Sequence, residues 1–202
     1  MTAPDTDGAE RAKEPAFTPS LPWRAVATLG GAGAVIVIDQ LTKAAVRAAA
    51  AAGGGLWAAE LIPGVLGLRF VRNTGAAFSL GEGFSGAFVV LAVAVVIAMT
   101  AYLARTRLVS RVEVAGLAMV AGGAVGNALD RVLFGFVTDF FATEFMDFAV
   151  FNVADIGITV GVVVAFIGFA FLSPANRVDA TAELNRRDAV AAARRAERGR
   201  RG

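Results

Sequence analysis

Two aspartates carry the chemistry this sequence could do. Asp155 stands in Phe151-Asn152-Val153-Ala154-Asp155-Ile156-Gly157, at the first turn of a segment that runs apolar through Leu172. Asp139 stands a short loop upstream, in Val137-Thr138-Asp139-Phe140. An acid at the mouth of a membrane-spanning segment is expensive to desolvate, so it is a functional candidate by default. Two carboxylates brought close cannot both ionise easily and therefore share a proton. One can then take a proton from water while the other polarises a carbonyl. Such a pair hydrolyses an amide without a covalent intermediate. The pattern alone leaves the pairing open, with Asp130 and Asp147 as alternatives.

Composition narrows the chemistry further. The chain has neither cysteine nor histidine. This removes disulfides, thiol nucleophiles, Cys/His zinc sites and every Ser-His or Cys-His dyad. Acid–base work falls to Asp, Glu, Lys, Arg or Tyr. Of the 202 residues, 56% are hydrophobic, and the mean hydropathy is +0.64. Soluble domains are about 45–50% apolar even with glycine counted, so this is the composition of a membrane protein.

The elements that must position the two acids can be read in order. Residues 1–22 are polar and proline-punctuated and read as a disordered tail. A first apolar span runs from Trp23 to Lys43, about the length a bilayer core requires, with Asp39 and Lys43 near its far end. A cleaved signal peptide fits poorly, because the run is long and ends on charged residues. Leu66 to Val71 alternates like a short strand, which Asn73-Thr74-Gly75 then breaks. Phe84 to Leu103 is a second span, free of charge. Val112 to Leu133 is a third and the least apolar, with Gly122 and Gly126 four apart so that another helix can approach closely. Phe134 to Val150 reads as a loop carrying Asp139, Glu144 and Asp147. Phe151 to Leu172 is a fourth span, and residues 175–202 form a basic tail.

Four spans place both termini on one side. All of the nineteen Lys and Arg except Lys43, Arg47, Arg69, Arg72 and Arg131 lie in the two end segments, at the tail-side start of the first span (Arg24) or in the loop between spans two and three. The positive-inside rule makes these regions cytoplasmic. The polar clusters at Asp39, Asn73, Asn127 to Arg131, and Asn152 to Asp155 then all fall at the outer membrane level. The Arg-rich C-terminus reads as a topology anchor that touches anionic lipid. Nothing indicates a folded basic face for nucleic acid.

Five short motifs carry a resemblance. They are Asp39-Gln40-Leu41-Thr42-Lys43, Asn73-Thr74-Gly75-Ala76-Ala77-Phe78, the Gly122 to Arg131 stretch, Val137-Thr138-Asp139-Phe140 and Phe151-Asn152-Val153-Ala154-Asp155. In this order, on four spans, they resemble the motif set of the lipoprotein signal peptidases (signal peptidase II). The resemblance covers the body, residues 23–174, and leaves out both tails. It implies an all-α membrane protein of four transmembrane helices, with a small extracytoplasmic β-sheet and a short interfacial helix between helices 1 and 2. It also implies an aspartyl endopeptidase of the bacterial cytoplasmic membrane, monomeric and without metal or cofactor. The expected substrates are diacylglyceryl-modified prolipoproteins, cut just before the modified cysteine, and globomycin is the expected inhibitor. By match to the motifs, Asp139 and Asp155 are the catalytic pair. Asn73, Asn127, Arg131 and Asn152 are expected to orient substrate or steady the pair.

Each signal has a plainer reading. Asp155 could simply cap a helix, and Asp139 could be a loop acid. Asp39 and Lys43, four apart on one helix face, read as a structural ion pair, and Asp130 as structural. Asp147, in a second Asp-Phe pair, reads as a surface acid. A proton-coupled transporter would place acids at mid-membrane depth and distribute polar residues through several spans. Here the span interiors are almost free of charge. A non-enzymatic scaffold leaves the converging motifs unexplained.

Overall fold

The computed structural model describes residues 19–75, 85–106 and 108–173. The tail residues 1–18 and 174–202, like residues 76–84, lie outside the described residues. Four helices are long and apolar enough to cross a membrane: α1 (Leu21–Ala52), α2 (Ser85–Arg105), α3 (Arg111–Phe134) and α4, which starts at Val153 and continues through a π-helical turn to Leu172. Strands β1 (Ala58–Ile62) and β2 (Leu66–Asn73) join α1 to α2, and β3 (Val137–Thr143) joins α3 to α4.

The third helix is the hub. More than half of its spanning window is buried, against 6% for α1 and α2, and it packs on all three other helices. Its glycines explain this. A Cβ at Gly122 would meet the Ala32 carbonyl oxygen of α1 at 2.7 Å, and one at Gly123 would meet the Ala154 carbonyl oxygen of α4 at 2.3 Å. Both approaches are closer than any side chain permits, so α3 touches its neighbours backbone to backbone. Its sequence is the least apolar of the four because its partners, rather than lipid, surround it.

The helix ends are set by local chemistry. Ser110 and Glu113 form a capping box at the start of α3, and Asn152 and Asp155 form another at the start of α4. Gly135, at φ 78°, ends α3 in the left-handed conformation and lets the chain turn directly into β3. At the bundle end away from the sheet, Arg24 donates to the Leu103 carbonyl at 3.0 Å and the Thr106 carbonyl at 2.5 Å. Tyr102 donates to the Glu113 carboxylate, and Ser110 Oγ donates to the Gly168 carbonyl at 3.1 Å.

Two expectations are corrected. The first helix does not stop near Lys43 but continues to Ala52. The residues that follow Lys43 are mostly alanine, the best helix former, so nothing ends the helix there. At 1.5 Å per residue, α1 then projects about 14 Å beyond Lys43. The stretch from Phe134 to Val150 is not all loop, because it contains β3. The sheet is antiparallel in the order β1-β2-β3, so its third strand comes from the far side of α3. Between α1 and α2, residues 53–75 contain no helix. The expected interfacial helix finds no place among the described residues.

Candidate active site

Strand β3 carries Asp139, and its neighbours fix where that side chain sits. On one edge, β3 pairs with β2, placing Val71 opposite Asp139 and Asn73 opposite Val137. On the other edge, the N–H groups of Phe140 and Phe141 donate to the Phe151 carbonyl at 3.0 and 2.8 Å, and Phe151 N–H returns to the Phe141 carbonyl at 3.1 Å. Phe151 immediately precedes Asn152, the N-cap of α4. The strand is thereby stitched to the first turn of the helix that bears Asp155. A tilted stack of Phe140, Phe141 and Phe151 rings reinforces the seam.

The two aspartates line one cleft of about 530 Å³, together with Asn73, Asn127, Arg131 and Val137. Its floor continues down α4 along Ile156, Thr159 and Val160, and residues 148–151 form its rim. Asp139 is 2% exposed. Burial pushes its carboxyl up to about 6, and the Asp155 charge adds to the rise. The N–H donors of Asn73 and Asn152 and the Lys43 ammonium pull the other way.

Amide donors surround both carboxylates. Asn73 Nδ2 donates to Asp139 Oδ2 at 2.8 Å, and Asn152 Nδ2 donates to Asp139 Oδ1 at 2.6 Å. Asn127 Nδ2 donates to Asp155 Oδ1 at 2.7 Å, and the Asn152 backbone N–H donates to Asp155 Oδ2 at 3.0 Å. Each of the four carboxylate oxygens accepts one N–H, which leaves lone pairs for water or substrate. Asp155 therefore caps α4 and lines the cleft at once. Asn152 is fully buried, with its side chain committed to Asp139, Asn127 and the Asp155 N–H.

Arg131 reaches the cleft from α3. Its Nη2 donates to the Gly75 carbonyl at 2.7 Å and its guanidinium lies 4.9 Å over the Phe88 ring. Behind the aspartates lies a buried charged layer. Lys43 Nζ lies 2.9 Å from Asp39 and 3.7 Å from Asp130, and it donates to Asn127 Oδ1 at 2.8 Å. Asp39 Oδ1 accepts the Ala154 N–H of α4 at 2.9 Å, and Asp130 Oδ2 accepts the Thr138 N–H of β3 at 2.8 Å. Asp147 is exposed and stands outside the cleft.

Arg47 and Thr138 were not foreseen. Arg47 Nη1 donates to Thr138 Oγ1 at 2.9 Å and lies 3.4 Å from Asp130, bracing β3 against α1. A signal was present in the sequence: Asp39, Lys43 and Arg47 recur every four residues and so share a helix face.

Four membrane-length helices, with two aspartates lining one cleft, define a polytopic membrane protein with a polar site at one end of its bundle. Two solved structures of bacterial membrane enzymes share the fold. One has a TM-score of 0.61 at 27% identity, covering 76% of this chain and 91% of that one. The other has a TM-score of 0.60 at 25% identity, covering 76% and 96%. A lipoprotein signal peptidase of Enterococcus faecalis is 45% identical over 108 residues, 54% of this chain and 67% of that protein. One of Streptococcus pyogenes is 35% identical over 133 residues, 66% of this chain and 86% of its own length. Residues 32–171 match the family model of signal peptidase (SPase) II, and the chain belongs to that family of membrane proteases.

Proposed function

We propose that this protein removes the signal peptides of prolipoproteins as an aspartyl endopeptidase, with Asp139 and Asp155 as the reacting pair. The observation that carries the reading is that both side chains line one cleft, each oxygen already aimed by an N–H donor. A water held between them attacks the scissile carbonyl and gives its proton to Asp155. Asp139, the more buried of the two, donates its proton to the developing oxyanion. On collapse the oxyanion returns that proton to Asp139, the C–N bond breaks, and the leaving amine takes the proton held by Asp155.

The substrate class is the lipid-modified precursor, cut just before the modified cysteine. Its acyl chains stay in the bilayer, and the peptide reaches the carboxylates along the apolar floor of Ile156 and Val160. Arg131 and Asn127, both on the cleft wall, are placed to hold the peptide backbone. The enzyme acts as a monomer, with both termini cytoplasmic and the cleft near the outer face. The test is cleavage of a lipidated prolipoprotein by purified protein in detergent. Asp139→Asn and Asp155→Asn should each lower kcat by about 10²–10⁴-fold while the protein stays folded. Wild-type cleavage by either variant would remove it from the pair.

A further inference from the structure

We propose that Lys43 is a positioning residue for the aspartate pair: as a group that can only donate, it fixes which way round the Asn127 amide sits, and so keeps that amide's N–H turned toward Asp155. The inference rests on the aspartyl reading and adds to it. The two ends of an asparagine amide are nearly equal in shape and differ only as acceptor and donor. What decides between them is the partner on each side. Lys43 Nζ lies 2.8 Å from Asn127 Oδ1, and Asn152 Nδ2 lies 3.1 Å from the same oxygen. A reversed amide would set its NH₂ against an ammonium and a second NH₂, and its oxygen against a carboxylate.

The same logic orders the other two amides, with different enforcers. Asn152 Oδ1 accepts the Asp155 N–H at 3.0 Å. Asn73 Oδ1 accepts the Gly75 N–H at 2.9 Å. Both are held by backbone donors, which no side-chain truncation at another position removes. Asn127 depends on side chains, and the charged one is Lys43, fully buried. The groups facing Lys43 are Asp39 from α1 and Asp130 from α3, the latter shared with Arg47. Those facing the aspartates are Arg131 from α3 and Lys43 from α1. From β2 comes Asn73, while α2 contributes Phe88, stacked on Arg131.

The plainer alternative is that Lys43 only neutralises Asp39. Full-length Asp39→Asn protein separates the two readings when compared with Asp39→Asn/Lys43→Met. An amide oxygen at position 39 can still accept the Ala154 N–H, and the double variant leaves no unpaired charge there. If Lys43 orients Asn127, adding Lys43→Met lowers kcat by about 10–10²-fold with KM changed less than about threefold. It also moves the infrared titration of the Asp139 carboxyl upward relative to the Asp39→Asn protein, since a nearby cation is lost. Equal kcat in the two proteins overturns the inference, and so does a rate loss with an unmoved titration.

A second measurement needs no Lys43 variant. In wild-type protein with ¹⁵N-labelled asparagine side chains, the Asn127 NH₂ signal, identified by its loss in Asn127→Leu, should shift on Asp155→Asn. A signal indifferent to that change puts the carbonyl oxygen on the Asp155 side and overturns the inference. Asp139→Asn and Asp155→Asn run in the same assay. Activity retained there removes the aspartyl reading. Inactivity there, with an inert Lys43→Met step, removes only the role of Lys43.

Discussion

At the scale of single residues, the aspartate pair places a strain on the fold that pH can expose. Burial pushes the Asp139 carboxyl up to about 6 in the folded chain, against an ordinary value of 3.8. Above about pH 6 it is ionised in both folded and unfolded chains, and the folded state bears the desolvation. Below about pH 4 it is protonated in both, and the penalty is gone. The folded protein therefore gains stability from this group as pH falls from about 6 to 4. A displacement of this size corresponds to about 3 kcal/mol. Asp139→Asn removes the penalty but leaves one neighbouring amide donor facing another, a loss of about 1 kcal/mol. The Asp139→Asn variant should thus unfold at a higher temperature than wild type at pH 7, and the gap should close near pH 4. Thermal scans in detergent at the two pH values check this. An Asp139→Asn protein less stable than wild type at pH 7 would show that the carboxylate is not penalised.

At the scale of elements, the close backbone seams bear the most weight. Gly123→Ala would push a Cβ to 2.3 Å from the Ala154 carbonyl oxygen. Helices α3 and α4 would have to separate, carrying Asn127 away from Asp155. Gly30→Ala meets nothing within 4 Å and should stabilise α1 by up to about 1 kcal/mol through helix propensity. The unfolding midpoints of the two variants should move in opposite directions, and only Gly123→Ala should lower the cleavage rate. The helices were legible because hydropathy and capping residues are local. Strand β3 was not, because Val137–Thr143 shows no clean alternation and its pairing is with residues more than sixty positions earlier. Asp139 was legible as a motif, but its place on a strand became visible only with β2 and Phe151 beside it. The amide polarities at Asn73, Asn127 and Asn152 were hidden for a different reason. They are properties of partners in space, and an asparagine looks the same in sequence whichever end it presents.

At the scale of the whole molecule, the charge bias predicts one orientation, with the sheet outside and the α2–α3 turn in the cytoplasm. The absence of cysteine makes this simple to check. In intact cells, Thr74→Cys should react with a membrane-impermeant maleimide, and Arg105→Cys should react only after lysis. Both positions are exposed. Labelling of Arg105→Cys in intact cells would reverse the orientation. The seam at Gly123 has a further consequence for traffic through the bilayer. Where two backbones touch, no alkyl tail can wedge between them, so that flank of the bundle is shut to anything arriving sideways. The open flank is the outward stripe of Ile156, Thr159 and Val160, which descends about 7 Å from Asp155. On the proposed reading, a chain anchored by its own grease slides up that gutter to the carboxylates and never leaves the oil.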